Sequence, residues 1–395
     1  MNRLPPIIEG AHGITNLITW IIFVREDWDF ISKTLDGRGT DSQRSFELVL
    51  TLNHETVHFL QGLTTAFTYG VSINFWDLFR NLASVCKQDQ LHERNLQNFQ
   101  QSFKNFNNQF LSTSDGLSTL DLLESMAVTE AFRATSTDIS TSTFLSHIEY
   151  YFPEQDSVYR KTIDIVRSRF GSEAAFNLTP KLCFIALNGD TPAKNFWLML
   201  DRLKEADRNE VARWSAIELS KFFEMPHEDY FINRISEIPQ SYIHPILSPY
   251  LELLKNIWSA DERVEFAAMP GKKLREIKTN DPVMQQILPP LIAASGGRGM
   301  PLGLAASWER ERVYSVIAVT ALMGTSERLV AEGRPYHPCP HIECPVHETA
   351  LCHAMYPPSM AVPWEDCNYH IILPSIFGKK PNELMELRKK SGLKD

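Results

Sequence analysis

A chain of 395 residues, 43% apolar and 22% charged, with 23 prolines and 18 glycines, can bury a large core and has the profile of an ordinary globular protein, which excludes a disordered or fibrous one. Its formal charge of −9 excludes DNA or RNA as the default partner, because nucleic-acid binders present a basic face that releases counterions from phosphates. The apolar stretch 17–24 is too short to span a bilayer and follows Pro5, Pro6 and Glu9 instead of a basic leader, so the expectation is a cytoplasmic protein with no membrane span.

Along the chain, the residues up to about Asp36 mix prolines with the β-branched run 18–24 and predict one or two strands. Helical periodicity follows. Phe46, Val49, Leu50, Val57 and Leu60 form the apolar stripe of a helix over about 45–63, with Gly62 or Gly70 expected to help break it. Further helices are predicted over 75–85, over 93–109 with a polar Asn- and Gln-rich face, and over 121–132, a short run flanked by Ser and Thr that reads as buried. Others follow at 157–170, 181–187, 193–203 and 211–223, with Asn188-Gly189 marking a turn and Pro192 a helix start. The stretch 269–304 is rich in Pro and Gly and predicts a linker or long loop, its basic run 270–278 reading as a solvated face. A last helix is expected at 308–332, and from Pro335 the sequence turns Pro-, Cys- and His-rich with low helical propensity. The expected architecture is mainly α-helical, α+β with a few N-terminal strands, divided into a helical domain at 1–335 and a Cys/His/Pro-rich segment at 336–395 packed on it.

The chemistry is concentrated in the run His54-Glu55-Thr56-Val57-His58. Residues four apart on a helix differ by only about 40° in direction, so His54 and His58 can reach one ion, while Glu55, about 100° around, can touch a water on that ion without being a ligand. Two unpaired imidazoles and a carboxylate would be costly to bury in so apolar a helix. A catalytic zinc held by His54 and His58 is therefore expected, with Glu55 as general base.

This helix resembles that of the zincin metallopeptidases. In the metzincin branch the motif continues to a glycine and a third histidine, but Gln61 and Thr64 stand in those places here. The resemblance is to the glutamate-ligand branch, whose third ligand comes from a later helix and is followed by small residues that let the helices approach. Glu124 with Ala127 matches that pattern, sharing a face with Asp121, Val128 and Ala131, whereas Glu130 points roughly 240° away. Glu124 is the preferred ligand and Glu130 the alternative, with Asp121 a candidate for orienting a ligand histidine. The resemblance covers two helices and extends to certain bacterial toxin and phage-exclusion peptidases with such a helix in a mostly helical body. It implies hydrolysis of a protein or peptide substrate: zinc activates water, Glu55 takes the proton and passes it to the leaving amine. An oxyanion-stabilising group is also needed, for which His147, Tyr150 and Tyr151 are candidates, and Gln61 lies one turn beyond His58, where it can line the cleft or cap a backbone group. The alternative reading is a non-catalytic metal-binding or interaction protein that uses the same ligands structurally.

Six cysteines are too few for a disulfide scaffold, and four of them, Cys339, Cys344, Cys352 and Cys367, crowd with five histidines into 337–370. They predict a second, structural zinc with sulfur ligands, against the alternative of buried reduced thiols, since tight Cys-x-x-Cys pairs are absent. His347-Glu348 has no second histidine at the required spacing. The run 295–299 lacks the Lys-Ser/Thr ending of a phosphate loop and predicts a turn, and no serine-hydrolase elbow occurs.

Overall fold

A computed structural model describes residues 13–15, 17, 20–39, 41–136, 139–154, 157–224, 244–277 and 368–391, with short pieces at 287, 291–295, 299–301, 318–319, 322–323, 325–326 and 329. The protein is mainly α-helical with few strands, the class its periodicity predicts. Strands β1 (Gly13–Thr15) and β2 (Ile21–Asp27) lie at the N-terminus. The strand reading stops short of Asp36, because the Asp27 side chain accepts from Phe30 N and starts helix α1 (Trp28–Leu35). Asp41 likewise caps α2 (Ser42–Thr64), the long helix that carries the histidines.

Neither glycine ends α2; the break falls at Thr65, whose extended backbone leads into α3 (Ala66–Lys87). Gly62 has a different use, since a Cβ there would come within 2.0 Å of the Trp20 ring. The missing side chain lets Trp20, itself held at a left-handed φ of 56°, lie flat on α2 beside Phe59. Helix α4 (Glu93–Leu111) turns Phe99, Phe103 and Phe106 onto Phe75 and Phe79 of α3 and leaves its amide-rich face outside.

A two-residue hairpin, β3 (Thr113–Ser114) with β4 (Leu117–Ser118), turns the chain at Asp115 and Gly116, both at positive φ. It leads into α5 (Thr119–Thr135), which is buried along nearly its whole length. Ser118 and Asp121 form a reciprocal capping box at its start. Beyond it come α6 (Thr141–Tyr151), α7 (Lys161–Phe170), α8 (Ser172–Asn177), α9 (Thr179–Leu187), α10 (Pro192–Arg202), α11 (Arg208–Val211), α12 (Ala216–Phe222), α13 (Leu247–Ile257), α14 (Ala260–Ala268) and α15 (Pro270–Ile277). The α6, α8, α13 and α14 helices have no counterpart in the sequence reading, and the helix expected over 211–223 is broken into α11 and α12.

The expected loop at 269–304 is structured in part. Its basic run forms α15, and β5 (Leu291–Ser295) and β6 (Gly299–Pro301) complete a four-stranded sheet in the order β1-β2-β5-β6. The β2–β5 pair is parallel and the outer pairs antiparallel. The run 295–299 falls between β5 and β6, and the described positions from 318 to 326 are helical, inside the span expected for the last helix. Low helical propensity after Pro335 is corrected at its far end by α16 (Asn368–Phe377) and α17 (Pro381–Lys390), with Leu373 and Phe377 fully buried in the main core. Cys339, Cys344, Cys352 and Cys367 lie outside the described residues, so the expected second zinc site does too. Among the described residues Cys86 and Cys183 are reduced and buried, and no helix is long and apolar enough to cross a membrane.

Candidate metal centre

Helices α2 and α5 pack side by side and run antiparallel, since Asn53 Nδ2 donates to Thr135 Oγ1 at one end and Gln61 Nε2 donates to the Leu123 carbonyl at the other. Ala127 and Ala131 on α5 are both fully buried and bring only a methyl group each to the packing. Where the helices meet, His54, His58 and Glu124 each direct a ligand atom to one point. His54 Nε2 and His58 Nε2 are 3.0 Å apart, and Glu124 Oε2 lies 3.0 Å from the first and 3.2 Å from the second. Ligand atoms on a tetrahedral zinc, at about 2.0–2.1 Å from the ion, are separated by roughly 3.3 Å. The nearly equilateral triangle fits a metal ion with a slight outward relaxation. The three side chains keep 12%, 13% and 10% of their surface exposed, so the group is set in a wall and not sealed in the core.

Burial and charge act in opposite directions on these groups. Burial alone would depress the His58 imidazole, but the neighbouring Glu124 carboxylate outweighs it and carries His58 up to about 9. Burial would raise Glu124, and the two imidazoles, His58 foremost, reverse that and hold it well below the usual carboxylate range.

Glu55 is buried beneath β1. The Thr15 hydroxyl lies 2.7 Å from Glu55 Oε2 and 2.9 Å from the Glu55 carbonyl, and can donate to either. Gly13 makes this approach possible, because a Cβ on it would sit 2.8 Å from Glu55 Cγ and 2.7 Å from Thr51. The Glu55 carboxylate acts electrostatically on His58 and on Tyr159.

Tyr159 lies beside the converging groups and was not singled out by the sequence reading. Its ring centroid is 5.7 Å from that of His54, and its other side stacks on Phe152 at 4.6 Å. Ser125 Oγ donates to the Val158 carbonyl and Thr162 Oγ1 to the Asp121 carbonyl, so α5 itself holds the segment around Tyr159 in place. Burial, then the Glu124 and Glu55 carboxylates, push the phenol far up, which keeps it protonated and a donor. The helix expected over 157–170 begins only at Lys161, so Tyr159 precedes α7 in a non-helical stretch that no spacing rule reaches.

The other candidates fall elsewhere. His147 stacks on Phe132 at 5.5 Å in a separate aromatic cluster with Phe46 and Tyr151, and Tyr150 is 70% exposed. Asp121 caps α5 through Ser118 and touches neither His54 nor His58. Glu130 turns to the opposite side of α5, where Arg133 Nε and the Gly271 amide both donate to it. Gln61, by contrast, lies against His58 Nδ1 at 2.8 Å. The chain matches no family model, no curated protein and no solved structure in the comparisons made with each.

Proposed function

We propose that the chain is a zinc metallopeptidase that hydrolyses peptide bonds in a protein or peptide substrate, with His54, His58 and Glu124 as the metal ligands and Glu55 as general base. The convergence of three ligand atoms from two helices, with a carboxylate one residue along from the first ligand, carries this reading. Bound there, a zinc ion would polarise the scissile carbonyl and bring water toward ionisation near neutral pH.

The protein's own groups account for the remaining steps. Glu55 accepts a proton from the attacking water, and the Thr15 hydroxyl against its carboxylate fixes the direction in which it faces. The same carboxyl then returns the proton to the departing amine. The protonated Tyr159 hydroxyl donates toward the oxygen that gains negative charge, a role the buried setting strengthens. A partly exposed ligand triangle beside a buried base admits a substrate carbonyl while limiting the water around it.

The test is metal content by elemental analysis of wild type and His58→Ala, joined to hydrolysis of a mixed peptide library by the zinc-loaded protein. One site-bound zinc lost in His58→Ala, with cleavage in wild type, is expected. Zinc bound without cleavage of any peptide would leave the non-catalytic metal-binding reading in its place.

A further inference from the structure

We infer that Gln61 is a positioning residue that selects the metal-binding tautomer of His58 and locks the two ligand-bearing helices in register. The inference rests on the reading of His54, His58 and Glu124 as a metal centre, and it begins one residue before Glu124, at a backbone carbonyl. Leu123 O can only accept, so the Gln61 group 3.0 Å from it is the amide nitrogen. The amide cannot be flipped without opposing two oxygens. Its Oε1 therefore faces His58 Nδ1, 2.8 Å away, and an oxygen acceptor requires Nδ1 to carry a proton. With Nδ1 protonated, the lone pair available to a metal is on Nε2, the atom that lies 3.0 Å from His54 Nε2 and 3.2 Å from Glu124 Oε2.

A main-chain oxygen on α5 thus fixes an amide on α2, the amide fixes a ring proton, and the ring proton fixes which nitrogen is a ligand. Gln61 is 2% exposed, so water does not compete for either bond. Histidine ligands usually hand their second ring N–H to a carboxylate, a carbonyl or water. Here the acceptor is a neutral amide, which orients the ring without adding a further negative charge to a site that already holds Glu55 and Glu124. One side chain also reaches both ligand helices, so the distance between His58 and Glu124 is set before any ion arrives.

Zinc affinity measured by competition with a chelator, together with the His58 ring proton spectrum of the zinc-loaded, nitrogen-15-labelled protein, tests this. Wild type is expected to show a slowly exchanging Nδ1–H signal. Gln61→Leu, close in size and without polar atoms, should raise the zinc Kd about 10- to 100-fold and lose that protection. Gln61→Glu accepts from Nδ1–H but, when ionised, cannot donate to Leu123 O; it should keep the ring signal with a Kd between the other two. Circular dichroism checks that both variants fold. An unchanged Kd and an unchanged ring signal in Gln61→Leu would overturn the inference. So would equal losses of affinity in both variants with the Nδ1–H signal intact, because register alone would then be at stake. A wild type that takes up no zinc removes the metal reading itself, and Gln61 with it.

Discussion

Helix α5 carries two buried glutamates less than two turns apart, and their surroundings differ in kind. Glu130, fully buried, is met by the Arg133 guanidinium and by the Gly271 amide at the start of α15. Its charge is balanced by groups that cannot leave. Glu124 is met by two imidazoles whose charge depends on a proton. A permanent cation makes a buried carboxylate structural, whereas imidazoles leave the balance to be completed by a proton or a metal ion.

Exchanging the two roles gives the largest expected effects. Glu124→Ala should strip the zinc, as read by elemental analysis, with the fold retained. Glu130→Ala should keep the zinc and lower unfolding free energy by about 3–5 kcal/mol, because it leaves Arg133 without its carboxylate in a mostly buried position. Zinc retained in Glu124→Ala and lost in Glu130→Ala would reverse the assignment of the two faces.

Glu55 sharpens the contrast from the neighbouring helix, since it is buried beside the three converging groups and is not one of them. Glu55→Gln should hold zinc at wild-type occupancy while peptide hydrolysis falls about 10²- to 10⁴-fold, since an amide cannot take a proton from water. Loss of zinc in this variant would make Glu55 structural. Tyr159→Phe should cost about 10²- to 10³-fold in kcat with zinc affinity unchanged, the effect of removing one oxyanion donor. If kcat is untouched, Tyr159 serves as packing for His54.

The smallest effect concerns pH. His58 rises from 6.5 in the unfolded chain to about 9 in the metal-free fold, so its contribution to stability is complete below 6.5 and is lost as pH rises through 9. Glu124 is depressed from 4.5, so its contribution is present above 4.5 and is lost as pH falls through its lower folded value. Zinc must displace the His58 proton, so its affinity should climb with pH up to about 9 and level off above it. Thermal melts with and without chelator read both trends. A zinc affinity flat across that window would show that His58 is already neutral in the metal-free protein.

How far the sequence could be read depended on whether the information was local. The His54 and His58 spacing and the Glu124 face follow from helix geometry, and both ligands meet across 70 residues of chain as the small residues of α5 suggest. Capping hydrogen bonds set the ends of α1, α2 and α5, which is why apolar periodicity alone missed α1 and placed the other two ends a few residues off. Tyr159, Thr15 and the turn of Glu130 toward Gly271 depend on contacts between distant segments. No window along the chain contains them. The parallel partner of β2 was invisible for the same reason, its Leu291–Ser295 run looking like part of a Pro/Gly-rich connection.

That parallel pairing bears on the order in which the molecule assembles. Ile21 must find Leu291 from the far side of most of the chain, whereas α2 and α5 meet across a much shorter loop. Loop-closure entropy and high contact order make the strand pairing the slower event. The ligand triangle is then expected to form before β2 pairs with β5. A nascent chain would be able to bring His54, His58 and Glu124 together while its sheet is still open. Pulse-labelled amide exchange during refolding should show protection in α2 and α5 ahead of β2.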